Sequence, residues 1–136
     1  MVVEDLARWL GVQLDEDERI ARAATDGPWV RWRGGRLHGL GDLIHPVLTP
    51  GQKPGAKAVI VTASWLDADH IAEWDPARVL REIDAKRRIL AEHPLNGWVC
   101  DTCDNGEVEQ VFPCPTLRLL ALPYDDRPGF LEAWRP

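Results

Sequence analysis

The side chains with the widest chemical range lie close together in the last third of the chain: His93, Cys100, Cys103 and Cys114, which include all three cysteines of the protein. Cys100 and Cys103 form a C-x2-C pair, a spacing that lets two thiolates approach one ion from a single turn. Cys114 is placed to come back beside them at the end of a return strand, and His93 ends a predicted helix just upstream. Three sulfurs and one imidazole are the donor set of a tetrahedral Cys3His zinc site. With four protein ligands such a site is closed to water and substrate, so the zinc expected here is structural. The fourth ligand is the least constrained; Asp101, Asp104, His38 and His45 are the alternatives to His93. A redox C-x-x-C of the thioredoxin kind opens a helix after a strand, whereas this pair is followed by a turn and a second strand. An odd cysteine count also argues against a disulfide framework.

Two other clusters carry weaker signals. Asp67, His70 and Glu73 fall at i, i+3 and i+6 of a predicted helix, where they could act as a general acid and base or a metal half-site of a hydrolase. The spacing is unspecific and no serine or cysteine is motivated as a nucleophile, so no catalytic or cofactor-binding residue is assigned. The simpler role of His70 is to steady the junction between two helical segments. Arg78, Arg81, Arg87 and Arg88 give the helix over 76–92 a basic face that could meet nucleic acid. Its simpler explanation is pairing with the acidic run at 15–18 of the first helix, or solvation.

Around these residues the chain reads as one α+β domain over 1–136, with a small zinc-knuckle-like module at about 93–124. Apolar residues at 3, 6, 10, 14, 20, 21 and 24 recur at helical steps, which predicts a first amphipathic helix ending before Gly27-Pro28. Trp29 opens a predicted strand, and Gly34-Gly35 suits the turn of a hairpin over 29–38. A short strand within 43–48 and a loop over 50–57 follow, where Pro and Gly are dense. The β-branched run at 58–63 is expected to be a central strand buried on both faces. Helical turns at 67–74 lead to Asp75-Pro76, an N-cap followed by proline at the first helical position, and a second long helix to about 92. Strands at 98–100 and 108–112, joined through Asp104-Asn105-Gly106, make the predicted metal hairpin. A short helix at 116–122 closes the module, stopped by Pro123. The fold expected is thus two long helices packed on a short antiparallel sheet, with a zinc-stapled hairpin and a short helix at the C-terminal end. Seven tryptophans spread over nearly every element are expected to anchor the core.

The formal net charge of −6 gives no global attraction for a phosphate backbone. No G-x-x-x-x-G-K-[ST] or G-x-G-x-x-G motif supports nucleotide binding. No apolar run is long enough to span a membrane, and the first residues carry acids where a signal peptide carries positive charge, so a cytoplasmic protein with no membrane partner is expected.

ARAATDGPW at 21–29, DADHIAEWDPARVLREIDAKRRILAEH at 67–93 and CPTLRLLALPYDDRPGFLEAWRP at 114–136 resemble, in order, the signature blocks of an uncharacterised family of small actinobacterial and actinophage proteins. Members of that family tend to carry a C-x2-C before the closing block. The resemblance implies a compact accessory protein and brings no activity. A protein that acts by binding a protein partner is the leading expectation, a nucleic-acid-binding module the second, and a hydrolase around His70 and Glu73 the weakest.

Overall fold

The computed structural model describes residues 5–32, 45–52, 58–62, 64–108 and 111–136. Within them the fold is α+β, with four α-helices and two small antiparallel sheets. The chain divides into two compact units, one made of Met1–Asp17 with Ile83–Pro136 and the other of Glu18–Glu82.

The first unit takes in residues 5–17 of helix α1 (Asp5–Ala23). Leu6, Leu10 and Leu14 stand one turn apart along it and are fully buried, as the helical period requires. Ile83 of helix α3 (Pro76–Glu92), Phe112, Leu117, Tyr124 and Trp134 are buried in the same unit. Tyr124 donates its hydroxyl proton to Asp17 at 2.9 Å, Arg127 pairs with the same carboxylate at 2.5 Å, and Lys86 donates to the Tyr124 hydroxyl at 3.1 Å. Asp17, within the acidic run of α1, is thereby matched by cation and phenol. Trp9 donates from Nε1 to the Pro128 carbonyl at 3.0 Å and packs on Phe130 and Trp134. A Cβ on Gly129, whose φ is +88°, would lie 2.9 Å from Trp9 Nε1, so only glycine fits this approach.

The second unit is built on a three-stranded sheet in the order β1 (Val30–Arg31), β2 (His45–Leu48), β3 (Ile60–Thr62). Its register pairs Val30 with Leu48 and Val47 with Ile60. The partner of β1 among the described residues is β2, and the expected Gly34-Gly35 turn lies outside them. Among the described residues the strand predicted as the buried centre is instead an edge: β2 is central, with Val47 and Leu48 buried, while Ile60 and Val61 are 42% and 50% exposed. A β-branched run reports strand propensity, which edge and central strands share.

Helix α2 (Trp65–Glu73) lies against all three strands and buries Ala68. It begins earlier than predicted because Ser64 caps it, accepting from the Asp67 N–H. Asp75 caps α3 as expected, with Oδ1 accepting from Arg78 N–H at 2.7 Å. Gly27, placed just beyond α1, is not a left-handed C-cap. Its φ is not positive, and a Cβ there would meet Ala77 Cβ at 2.8 Å, so the glycine is needed for close approach to the start of α3.

The tryptophans do not behave as a class. Trp134 is 2% exposed, but Trp65, Trp74 and Trp98 are 51%, 48% and 64% exposed. Arg31 stacks on Trp65 and Arg78 on Trp74, which gives those indoles cationic covers in place of a core.

Candidate metal centre

His93 follows directly on α3, its N–H donating to the Leu90 carbonyl. A tight hairpin comes next: β4 (Leu95–Asn96) pairs with β5 (Val99–Cys100), turning through Gly97 at φ +66°. This hairpin is shorter than the predicted one and turns earlier. Among the described residues the return segment contributes one bridge, Val111 to Val99, with Phe112 N–H donating to the Trp98 carbonyl. The C-x2-C turn then folds on the Cys100 carbonyl, which accepts from Cys103 N–H at 3.2 Å and Asp104 N–H at 2.9 Å. The Thr102 hydroxyl donates to the Glu92 carbonyl, tying the turn to the end of α3. Cys114 stands at the start of helix α4 (Pro115–Ala121), where Pro115 pre-sets the first helical position. The helix buries Leu117 and Ala121, leaves Leu119 exposed, and passes into a 3₁₀ turn that contains Pro123.

These turns bring the four predicted residues together. His93 Nδ1 lies 3.4 Å from Cys100 Sγ, 3.4 Å from Cys103 Sγ and 3.6 Å from Cys114 Sγ. The four ligand atoms are all within 4.8 Å of one another. Cys100 and Cys114 are fully buried, and Cys103 and His93 are half-buried. One ring nitrogen carries either one proton or one lone pair, so it cannot hydrogen-bond three thiols at once. Four donors converging on a common point are compatible with a metal site.

Without a metal the cluster favours a neutral Cys103 thiol. Burial pushes the Cys103 thiol up to about 12, and hydrogen bonding and charge from Cys100 and Cys114 push in the same direction. Three thiolates cannot coexist here without a cation among them. Of the alternative fourth ligands, Asp101 and Asp104 have hydrogen-bond partners of their own. Asp101 accepts from Asn96 Nδ2 at 2.9 Å and Asp104 from Gly106 N–H at 3.0 Å. His45 begins β2 of the other unit, and His38 lies outside the described residues.

The other clusters gain no comparable geometry. Asp67, His70 and Glu73 are all exposed on α2, and the His70 ring sits beside Trp74, centroids 6.1 Å apart. The basic face of α3 is largely paired: Arg78 with Glu82 at 2.9 Å, Arg87 with Asp15 at 2.6 Å and Arg88 with Asp84 at 2.9 Å. The Arg87 pair is the predicted match to the acidic run of α1. No helix among the described residues is long and apolar enough to cross a membrane.

Sequence reasoning missed Trp98, which it placed in a strand of the metal hairpin and counted with the core tryptophans. Asn96-Gly97 was the available signal, since a turn of that kind immediately before Trp98 puts the indole at a loop tip.

No curated protein and no solved structure matches the chain. A family model described as "Family of unknown function (DUF6221)" matches residues 3–136. The chain therefore belongs to that family over nearly its whole length.

Proposed function

We propose that this chain is a small binding protein whose C-terminal third is ordered by one structural zinc ion on His93, Cys100, Cys103 and Cys114. The observation that carries the proposal is the position of His93 Nδ1, 3.4, 3.4 and 3.6 Å from the three sulfurs. A tetrahedral zinc with Zn–S of about 2.3 Å and Zn–N of about 2.0–2.1 Å sets nitrogen and sulfur about 3.6 Å apart. Three soft thiolates select zinc over magnesium or calcium. Four protein ligands leave no open coordination position, which supports a structural role over a catalytic one.

Zinc also meets an energetic need. Between residues 96 and 113 the buried side chains among those described are Cys100, Phe112 and Pro113. Ordering backbone costs roughly 1–2 kcal/mol per residue, and structural zinc supplies about 10–16 kcal/mol of apparent binding free energy at neutral pH. A set of thiolates held on metal suits the reducing cytoplasm.

Binding through protein contacts is favoured over nucleic acid because Arg78, Arg87 and Arg88 already have carboxylate partners. Elemental analysis of protein purified without chelator tests the metal, and about one zinc per chain is expected. Absence of stoichiometric zinc, or three thiols titrating rapidly in the native state, overturns it. Capture of one protein partner from a host lysate, lost when zinc is stripped, is the expected outcome for the binding role.

A further inference from the structure

The turn of the metal hairpin carries an open groove of about 280 Å³ lined by Asn96, Gly97, Trp98, Val99 and Asp104. Its walls are of two chemical kinds. Trp98 is 64% exposed and has no ring or cation partner among the described residues, unlike Trp65 and Trp74 with their arginine covers. Asp104 lines the same groove, and its carboxylate accepts the local turn contact from Gly106 N–H at 3.0 Å. An indole and a carboxylate on one concavity form a receptor for a side chain that is both cationic and flat or long, since the ring quadrupole and the anion attract the same charge.

The surroundings add to this. Between Arg88 and Arg118 the sequence contains no Lys or Arg, while Glu92, Asp101, Asp104 and Glu107 lie in the described part of that stretch. Three thiolates and a neutral imidazole around a divalent ion would add one further net negative charge. Phosphate is repelled from such a face and a basic peptide is drawn to it. Val111, 55% exposed and bridged to Val99 at the groove, and Val108, 58% exposed, supply apolar surface on the same segment for the stem of a long side chain.

We propose that the groove between Trp98 and Asp104 receives an arginine or lysine side chain from a basic segment of a protein partner. The proposal rests on the reading of the chain as a zinc-ordered binding protein and names the chemistry of what it binds. The same turn that carries Cys100 and Cys103 carries the groove, so metal and groove are ordered together.

The test is a titration of the full-length, zinc-loaded chain with a capped tetra-arginine peptide, followed by NMR of the indole and amide resonances, with capped tetra-glutamate as control. The expected result is saturable shifts at the Trp98 indole and at the amides of residues 96–104 with arginine peptide only, weakening as salt is raised. Trp98→Ala and Asp104→Asn should each weaken binding roughly two- to fivefold, as exposed cation–π and ion-pair contacts do. Asp104→Asn keeps a side-chain oxygen for the Gly106 turn, and Trp98 is exposed, so both variants should fold with unchanged zinc content. Zinc present with no shift at these residues overturns the groove and leaves the zinc site standing. Shifts at the groove in a chain that proves free of zinc support the groove and overturn only the metal. Equal shifts with tetra-glutamate, stronger shifts with a single-stranded oligonucleotide, or affinity unchanged in both variants overturn the groove.

Discussion

Asp75 Oδ2 accepts a hydrogen bond from the Trp29 backbone N–H at 2.7 Å, joining residues 46 positions apart, while Oδ1 of the same carboxylate caps α3 through Arg78 N–H at 2.7 Å. Asp75 is 5% exposed and is the buried charged side chain among the described residues. An N-cap typically contributes about 1 kcal/mol and a hydrogen bond to a charged group about 1.5–3 kcal/mol. Asp75→Ala should therefore cost about 2–4 kcal/mol, read as a lower urea midpoint. Asp75→Asn, which retains one acceptor oxygen, should cost less. Equal midpoints for Asp75→Ala and the parent chain would show that neither bond contributes.

Burial separates the tryptophans. Trp134→Ala removes a ring that is 2% exposed and packed on Trp9 and Phe130, and should cost about 3–5 kcal/mol. Trp98→Ala, at 64% exposure, should stay within about 0.5 kcal/mol of the parent. Thermal unfolding of the two variants side by side checks the contrast, which fails if Trp98→Ala is the more damaging.

Cys100→Ser, Cys103→Ser, Cys114→Ser and His93→Ala should each lose most of the proposed zinc. Amide exchange should then accelerate across residues 96–113, which have few buried side chains of their own. Amides of the sheet at 30–31, 45–48 and 60–62 belong to the other unit and should stay protected. Uniform loss of protection in both units would show that the metal orders more than its own segment.

Proton competition sets the pH dependence of the metal. In the metal-free chain the Cys103 thiol is raised from 9.0 to about 12, by burial first and then by Cys100 and Cys114. A raised folded-state value means that this thiol contributes to apo stability in full below 9.0, and that the contribution is lost as pH rises toward about 12. The proposed zinc would reverse the preference, because it must displace that proton. Affinity measured against a colorimetric chelator should fall by at least about tenfold from pH 7.5 to pH 6. An affinity flat across that range would show that thiolates are not the ligands.

Much of the site could be read from residue types and spacing alone. C-x2-C, a third cysteine and a histidine at a helix end name four donors, and Asp75-Pro76 marks the start of α3, because caps and ligand turns are local chemistry. The stripe Leu6, Leu10, Leu14 likewise follows from the 3.6-residue period, and all three are buried. Long-range pairing decided the rest. Whether the run at 58–63 is a central strand or an edge depends on which segment lies beside it, and only the register of β2 against both neighbours makes β3 the edge. Whether an indole is core or surface depends on what folds over it, so identical residues became Trp134 inside and Trp98 at a loop tip. Spacing left several fourth donors open, and the fold set His93 Nδ1 within 3.6 Å of all three sulfurs because α3 ends where the hairpin begins.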